Sequence, residues 1–176
     1  MLRCASFFAG VGGIDIGFEN AKIFKVVYAN EFDPYPVKTY ELNSKIKVDC
    51  RDIHEVKNEE IPDFDVMLAG FPCQAFSVAG YRKGFDDEKG RGTLFFELVR
   101  IIKAKQPQIV FLENVKNLVG HDNGNTFAVI IDELHLYKGV FGTNSAYLFR
   151  RFNNLHRLLC KKDCFAQYVT ASATLP

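Results

Sequence analysis

The sequence predicts an α/β fold in which helices cover a parallel sheet. Short apolar runs typical of buried strands alternate with longer segments of helical character. The first apolar run is followed directly by a glycine-rich turn, Gly10-Val11-Gly12-Gly13, that opens a helix-like segment. At 176 residues, of which 48% are hydrophobic, the chain is long enough for one domain with a proper core.

The predicted elements alternate along the chain, as a parallel sheet requires. The strand-like runs are residues 2–8, 24–29, 46–48, 65–69 and 109–112. The helix-like segments are residues 14–20, 35–42, 94–105 and 126–134. The segment 94–105 has the clearest helical period, because four apolar residues fall on one face: Leu94, Leu98, Ile101 and Ile102.

Composition limits the cellular compartments and the kinds of site that we expect for the protein. No run approaches the length of a membrane span and the N-terminus lacks a secretory pattern, so we expect no membrane association. Five irregularly spaced cysteines argue against a disulfide framework and favour a reducing, cytoplasmic setting. Cys160 and Cys164 have no partner pair at metal-ligand spacing, and we expect no metal site.

Two side chains with reactive chemistry follow strand-like runs. Pro72 cannot donate a backbone hydrogen bond, so Cys73 stands in a loop beyond the run 65–69. Glu113 follows the run 109–112. Since ligands bind at the carboxyl ends of parallel strands, a nucleophile and an acid could meet there. The alternatives are a small buried cysteine and a solvated surface carboxylate.

The loops after the first three strand-like runs form a candidate nucleoside site. The glycine-rich turn would let its backbone approach a ligand, although it lacks the dinucleotide fingerprint and could be a plain β–α turn. Glu31 could accept both ribose hydroxyls, and Asp52 could accept from an adenine amino group. Each acid alone could be a solvated surface residue, but together they follow successive strands.

The chain resembles the DNA (cytosine-5) methyltransferases of bacterial restriction–modification systems. The resemblance rests on residues 8–13, 72–77, 90–96 and 111–115, and it is continuous from about Leu2 to about Leu134. It implies a Rossmann-like methyltransferase sheet, S-adenosylmethionine as cofactor and duplex DNA as substrate. It places eight residues at the cofactor: Phe8, Val11, Glu31, Phe32, Asp52, Ile53, Pro72 and Leu94.

The resemblance also implies roles for Cys73 and Glu113. Cys73 would add to C6 of a cytosine that has been flipped out of the duplex. Glu113 would hold a proton at N3, and C5 would then attack the methyl group. Residues 74–89 would form a mobile lid over the base, the alternative being a flexible surface loop.

Beyond about Tyr137 the family pattern is lost. We expect residues 1–136 to be a partial S-adenosylmethionine-binding and catalytic domain, and residues 137–176 to be an atypical tail, frame-shifted or disordered. This segment has six Lys and Arg against one Asp, so it could also touch phosphates. The target-recognition region is not recognisable in the sequence.

The missing region leaves several functional interpretations open. We expect a truncated, inactive or split enzyme, the last with a complementing C-terminal chain. The alternatives are a non-catalytic remnant that binds S-adenosylmethionine or DNA, and an RNA cytosine-5 methyltransferase.

Overall fold

A six-stranded sheet forms the centre of the protein. The computed structural model describes residues 1–72, 94–136, 146–152 and 166–169. The strands are β1 (Leu2–Phe7), β2 (Phe24–Asn30), β3 (Val66–Ala69), β4 (Ile109–Val115), β5 (Ala146–Phe152) and β6 (Ala166–Val169). Their order in the sheet is β2-β1-β3-β4-β5-β6. Neighbouring strands are parallel except for β5 and β6, which confirms the predicted parallel α/β class.

The described α-helices match four predicted segments to within two residues at each end. They are α1 (Gly13–Asn20), α2 (Pro34–Asn43), α3 (Leu94–Lys105) and α4 (Asn125–Leu136). Short 3-10 turns occupy Ile53–Glu55 and Asn58–Glu60, and the nine-residue stretch Lys116–Gly124 contains 3-10 turns on either side of non-helical backbone at residues 121–123. None of the helices in the described ranges is long and apolar enough to cross a bilayer.

Both faces of the sheet are covered, which explains why all four residues of β3 and four of the six residues of β1 are apolar. On one face α3 packs with the fully buried side chains of Phe95, Leu98 and Ile102. On the other face Phe18 of α1 makes edge-to-face ring contacts with Phe24 and Phe111. The two clusters hold the central strands between them and give the loops at the strand ends a rigid base.

The strands β2, β1 and β3 end level with one another, and β4 passes the same level at Leu112 before it continues to Val115. Phe7 is paired with both Asn30 and Ala69, and Ala69 is paired with Leu112. The next residue of each strand or loop therefore stands at the same height. We refer to these four residues as the carboxyl edge: Phe8, Glu31, Gly70 and Glu113.

The predicted strand at residues 46–48 is wrong. The Ile46 N–H donates to Ser44 Oγ at 3.1 Å and the Val48 N–H donates to Glu41 Oε1 at 3.0 Å. Because side chains take these donors, they cannot enter a strand ladder. The sheet is instead reached one residue later, through a parallel bridge between Asn30 and Asp49.

Two further differences concern the far side of the sheet. The strand β4 continues through Val115, so Glu113 lies inside the strand and not after it. Its whole length pairs with β5, from Ile109 opposite Ala146 to Val115 opposite Phe152. The sequence patterns predicted neither β5 nor β6, which lie in the segment we expected to be an atypical tail.

Candidate cofactor and catalytic site

The turn between β1 and α1 has a backbone shape that glycine permits. Gly10 and Gly12 have φ values of +56° and +85°, and Phe8 also adopts a positive φ of +54°. A Cβ at Gly12 would stand 2.9 Å from two ring carbons of Tyr40. A Cβ at Gly10 would meet nothing within 4 Å, so the backbone there faces open space. The turn thus offers an accessible backbone at the carboxyl edge.

Glu31 is fixed against this turn. Its Oε2 accepts from the Gly10 N–H at 2.9 Å, and its Oε1 accepts from the Asp33 N–H at 3.0 Å. Each carboxylate oxygen can accept a further hydrogen bond, because one bond does not use both lone pairs. The exposed side chains of Val11 and Phe32 also belong to these two loops. A carboxylate held in this way can receive a pair of neighbouring hydroxyl groups.

Asp52 lies at the end of a segment that runs beside Asn30 and Glu31. The Asn30 side chain donates to the carbonyl oxygens of Asp49 and Arg51, each at 2.9 Å. The Glu31 N–H donates to the Asp49 carbonyl oxygen at 3.2 Å. These bonds bring the loops that contain Glu31 and Asp52 together.

The Asp52 carboxylate caps the following turn through one of its oxygens. Oδ1 accepts from the His54 N–H at 3.0 Å and lies 2.6 Å from His54 Nδ1. Partial burial alone would raise the pKa of Asp52, but the interactions with His54 outweigh it and lower that pKa below its usual range. Oδ2 is left to accept from a donor such as an amino group. Ile53, the next residue, is buried beneath the turn.

Glu113 lies close to the backbone at the end of β3. A Cβ at Gly70 would stand 3.2 Å from Glu113 Oε2. The next side chain along β4, Asn114, is buried and donates from Nδ2 to the Phe71 carbonyl oxygen at 2.7 Å. This bond ties β4 to the chain segment that leads to Pro72, so Glu113 is adjacent to the segment that precedes Cys73.

Cys73 itself lies outside the described residues, as does the predicted lid at residues 74–89. Pro72 is exposed, two residues beyond the carboxyl edge. Leu94 begins α3 and packs against the larger core cluster. The structure therefore brings Phe8, Glu31 and Glu113 to one edge, with the ends of the undescribed segment attached to the same side of the domain.

Two cysteines in the described part of the chain have free thiols, and they differ in exposure. Cys4 is buried in β1, and burial raises the pKa of its thiol to about 12, so it is not a nucleophile at neutral pH. Cys50 is exposed, and its Sγ lies 3.7 Å from the Phe32 carbonyl oxygen. Within the described ranges no three His, Cys, Asp or Glu side chains form a group that could hold a metal ion.

One part of the site was not singled out from the sequence. Asp15 is only 3% exposed and accepts from Ser6 Oγ at 2.7 Å and from Tyr40 Oη at 2.6 Å. Tyr40 is the ring that leaves no room for a Cβ at Gly12. A buried carboxylate thus fixes the tyrosine that packs under the glycine turn. The available signal was an acid between two apolar residues, Ile14 and Ile16, in the first turn of α1.

The comparison with protein families gives a match over most of the chain. Residues 2–138 match the family model of the C-5 cytosine-specific DNA methylases. The chain is 63% identical over 134 residues to the Type II methyltransferase M.Bsp6I of Bacillus sp. (strain RFL6), which covers 76% of this chain and 42% of that protein. It is 49% identical over 129 residues to the Type II methyltransferase M.HhaI of Haemophilus parahaemolyticus, which covers 73% and 38%. The chain therefore spans about two fifths of the length of these relatives.

Solved structures have the same fold. A mutant of DNMT2 from Spodoptera frugiperda gives a TM-score of 0.61 at 23% identity, over 77% of this chain and 41% of that one. A putative DNA modification methyltransferase encoded within an E. coli prophage gives a TM-score of 0.60 at 24% identity, over 77% and 38%. At these identities the likeness shows a shared architecture.

Proposed function

Because the chain belongs to the family of C-5 cytosine-specific DNA methylases, we propose that it supplies cofactor-binding and catalytic residues for methyl transfer to cytosine C5 in duplex DNA. One observation carries the proposal. Glu113 is level with Phe8 and Glu31, so the proposed catalytic acid lies at the same edge of the sheet as the proposed acceptors of a nucleoside site. Neither feature alone would indicate methyl transfer.

Family membership implies S-adenosylmethionine as methyl donor, and the described residues fit an adenosyl group. In the proposal the two oxygens of Glu31 accept from the ribose hydroxyls, and Asp52 Oδ2 accepts from the adenine amino group. Six other residues complete the pocket by apolar contact: Phe8, Val11, Phe32, Ile53, Pro72 and Leu94. Such a balance of apolar walls and a few fixed polar groups is typical of small-molecule sites.

The proposed chemistry uses Cys73 and Glu113 on a base that has left the helix stack. The Cys73 thiolate adds to C6 of cytosine, which breaks the C5–C6 double bond, removes the aromaticity of the ring and places electron density on C5. Glu113 holds a proton at N3 and offsets the charge that this addition creates. When bound, the cofactor supplies an electrophilic methyl group for C5. A base then removes the C5 proton, and the thiolate leaves C6 as the double bond re-forms.

Duplex DNA is the proposed substrate, and recognition of a DNA sequence is proposed to come from the part of such enzymes that this chain does not match. That part would lie either in the same polypeptide or in a complementing chain. Phosphate contacts from the basic segment 137–176 could add sequence-independent affinity. They cannot select a target, because they carry no sequence information.

A chimera tests this function. Residues 1–136 of this chain would be joined to the part of M.Bsp6I that follows its matched segment, and tritium transfer from labelled S-adenosylmethionine would be measured. Duplex DNA and transfer RNA would be offered as separate substrates. We expect label in duplex DNA that disappears in the Cys73→Ala chimera.

Two results would contradict the proposal. One is equal labelling by the Cys73→Ala chimera. The other is no labelling of either nucleic acid by a chimera that melts cooperatively, in an assay where M.Bsp6I itself is active. Labelling of transfer RNA alone would show that the substrate is RNA and not DNA.

A further inference from the structure

Arg100 of α3 is bonded to the chain segment that follows Asp52. Its Nη2 donates to the carbonyl oxygens of Val56 at 2.9 Å and Ile53 at 3.3 Å, and its Nη1 donates to Asn58 Oδ1. These acceptors lie 42 to 47 residues earlier in the sequence. We refer to residues 52–56 as the Asp52 turn.

Glu97 sets the direction of the guanidinium group. Its Oε2 accepts from Arg100 Nε at 2.7 Å, one helical turn before Arg100 on α3. The guanidinium is planar and its five donors point in fixed directions, so a bond at Nε also orients the Nη groups. Both side chains are partly buried. The pair therefore presents a pre-oriented set of donors to the Asp52 turn.

The Asp52 turn has little stability of its own. Its internal backbone bonds run from the Glu55 N–H to the Asp52 carbonyl oxygen at 2.9 Å and from the Val56 N–H to the Ile53 carbonyl oxygen at 3.3 Å. A 3-10 turn of three residues is weakly held by such bonds. Ile53 and Val56 are buried, so the Val56 carbonyl oxygen needs a donor, and the Ile53 carbonyl oxygen, which already accepts from the Val56 N–H, can accept a second hydrogen bond. Arg100 supplies these donors.

We propose that Arg100 is a positioning residue for the adenosyl group: it holds the Asp52 turn, and with it the Asp52 carboxylate, in place relative to α3. The inference rests on the proposed function, in which Asp52 accepts from adenine and Leu94 contacts the cofactor from the start of α3. Arg100 thereby fixes two walls of the pocket against each other. It does not touch the ligand and acts through the turn.

The test compares Arg100→Lys and Arg100→Ala with the unaltered 176-residue chain. Hydrogen–deuterium exchange would follow the amides of the Asp52 turn and those of β1 and β3. Calorimetry would give the affinity for S-adenosylhomocysteine, the unreactive product of the cofactor. Lys105→Ala is the matched control, because it removes a positive charge and its ion pair with Asp63 at the C-terminal end of the same helix.

Arg100→Lys keeps the positive charge but loses the planar fork. We expect exchange in the Asp52 turn to become faster by on the order of tenfold while β1 and β3 are unchanged, and ligand affinity to fall by a similar factor. Arg100→Ala should show the same pattern more strongly. Lys105→Ala should alter neither quantity.

Unchanged exchange in the Asp52 turn of both Arg100 variants would overturn the inference, as would unchanged affinity in a chain that binds the ligand. If Arg100→Ala speeds exchange in β1 and β3 as well as in the Asp52 turn, the result for Arg100→Lys decides between the two readings. Faster exchange in the Asp52 turn alone supports the inference, and faster exchange throughout the sheet overturns it. Failure of the unaltered chain to bind S-adenosylhomocysteine would instead count against the proposed function. In that case the exchange of the turn alone decides the role of Arg100.

Discussion

The carboxylate of Glu113 approaches the backbone of Gly70 so closely that a side chain there would displace it. A Cβ at Gly70 would stand 3.2 Å from Glu113 Oε2 and 3.6 Å from Ile14 Cδ1. The first distance is tighter than an ordinary contact and involves the end of a movable side chain. The absence of a side chain at residue 70 therefore allows the proposed catalytic acid to stand this close to β3.

Gly70→Ala should reduce catalysis much more than stability. A displacement of Glu113 by a few tenths of an ångström or more would weaken its bond to N3, and errors of about 1 Å in such sites cost on the order of a hundredfold in rate. We expect the turnover number of the M.Bsp6I chimera to fall by roughly tenfold or more, with a change of less than about 1 kcal/mol in the free energy of unfolding. Steady-state kinetics and urea unfolding measure the two quantities.

The control for Gly70→Ala is Gly17→Ala. A Cβ at Gly17, on α1, would meet nothing within 4 Å. This variant should retain its turnover number and gain up to about 1 kcal/mol of stability, because alanine is the better helix former. Equal turnover numbers for the two variants would show that the space above Gly70 does not position Glu113.

Gly12→Ala should destabilise the protein more than Gly10→Ala. Both glycines have positive φ values, which cost an alanine about 1–2 kcal/mol. At Gly12 the new Cβ would also meet the Tyr40 ring at 2.9 Å, whereas at Gly10 it would meet no atom within 4 Å. We expect the extra contact to add about 1 kcal/mol or more in urea unfolding. Equal losses would mean that Tyr40 moves away freely.

Asp15 should make stability fall as the pH rises. Burial raises the pKa of Asp15, and the hydrogen bonds from Tyr40 and Ser6 oppose this shift without cancelling it. The folded state therefore binds a proton more tightly than the unfolded state, so this contribution is present below about pH 4 and is lost as pH rises through the raised pKa. Asp15→Asn removes the contribution.

Urea unfolding of the unaltered chain and of Asp15→Asn at several pH values would check this sign. The difference in unfolding free energy, unaltered chain minus variant, should decrease from acidic to alkaline pH. Taking the difference cancels the opposite contributions of Asp49 and Asp52, whose pKa values are lowered in the folded protein. An increase of the difference with pH would contradict the raised pKa of Asp15.

The fold could be predicted from the sequence where local pattern determines structure. Residues 94–105 were predicted with the observed bounds because their apolar residues keep a helical period and belong to the main core. Residues 46–48 were wrongly predicted to form a strand. The side chains of Ser44 and Glu41 accept hydrogen bonds from their backbone N–H groups, and the pattern of apolar residues contains no sign of these bonds. The extent of β4 depends on its pairing with β5, a distant part of the chain.

In the site, too, features set by local sequence could be predicted and features set by distant contacts could not. Glu31 could be predicted because it follows a strand directly, and the structure places its carboxylate on the glycine turn. The link from Asp15 to Tyr40 spans 25 residues, and the contacts of Arg100 with Ile53, Val56 and Asn58 span more than 40. Such partners are chosen by the packing of helices on the sheet, so a single sequence contains no local signal for them.

Cys73→Ser should abolish covalent trapping by a duplex that contains 5-fluorocytosine. Fluorine at C5 cannot leave as the proton does, so an adduct at C6 persists once the thiolate has attacked. We expect the M.Bsp6I chimera to form a denaturation-resistant complex, and its Cys50→Ser variant, which removes an exposed thiol that has no part in the proposed reaction, to form it equally well. Gel electrophoresis under denaturing conditions reads the result. A complex that survives in Cys73→Ser would show that another nucleophile acts.

Binding of S-adenosylmethionine to the 176-residue chain tests the central claim most directly, since all eight proposed cofactor residues lie in the described part of the chain. Calorimetry on folded protein should give weak but saturable binding. Glu31→Ala should lower the affinity by roughly tenfold or more, because two charge-assisted hydrogen bonds to the ribose are lost. Glu59→Ala, which removes an exposed acid of the same charge, should leave the affinity unchanged. No heat at high ligand concentration, or equal affinity in Glu31→Ala, would contradict the account.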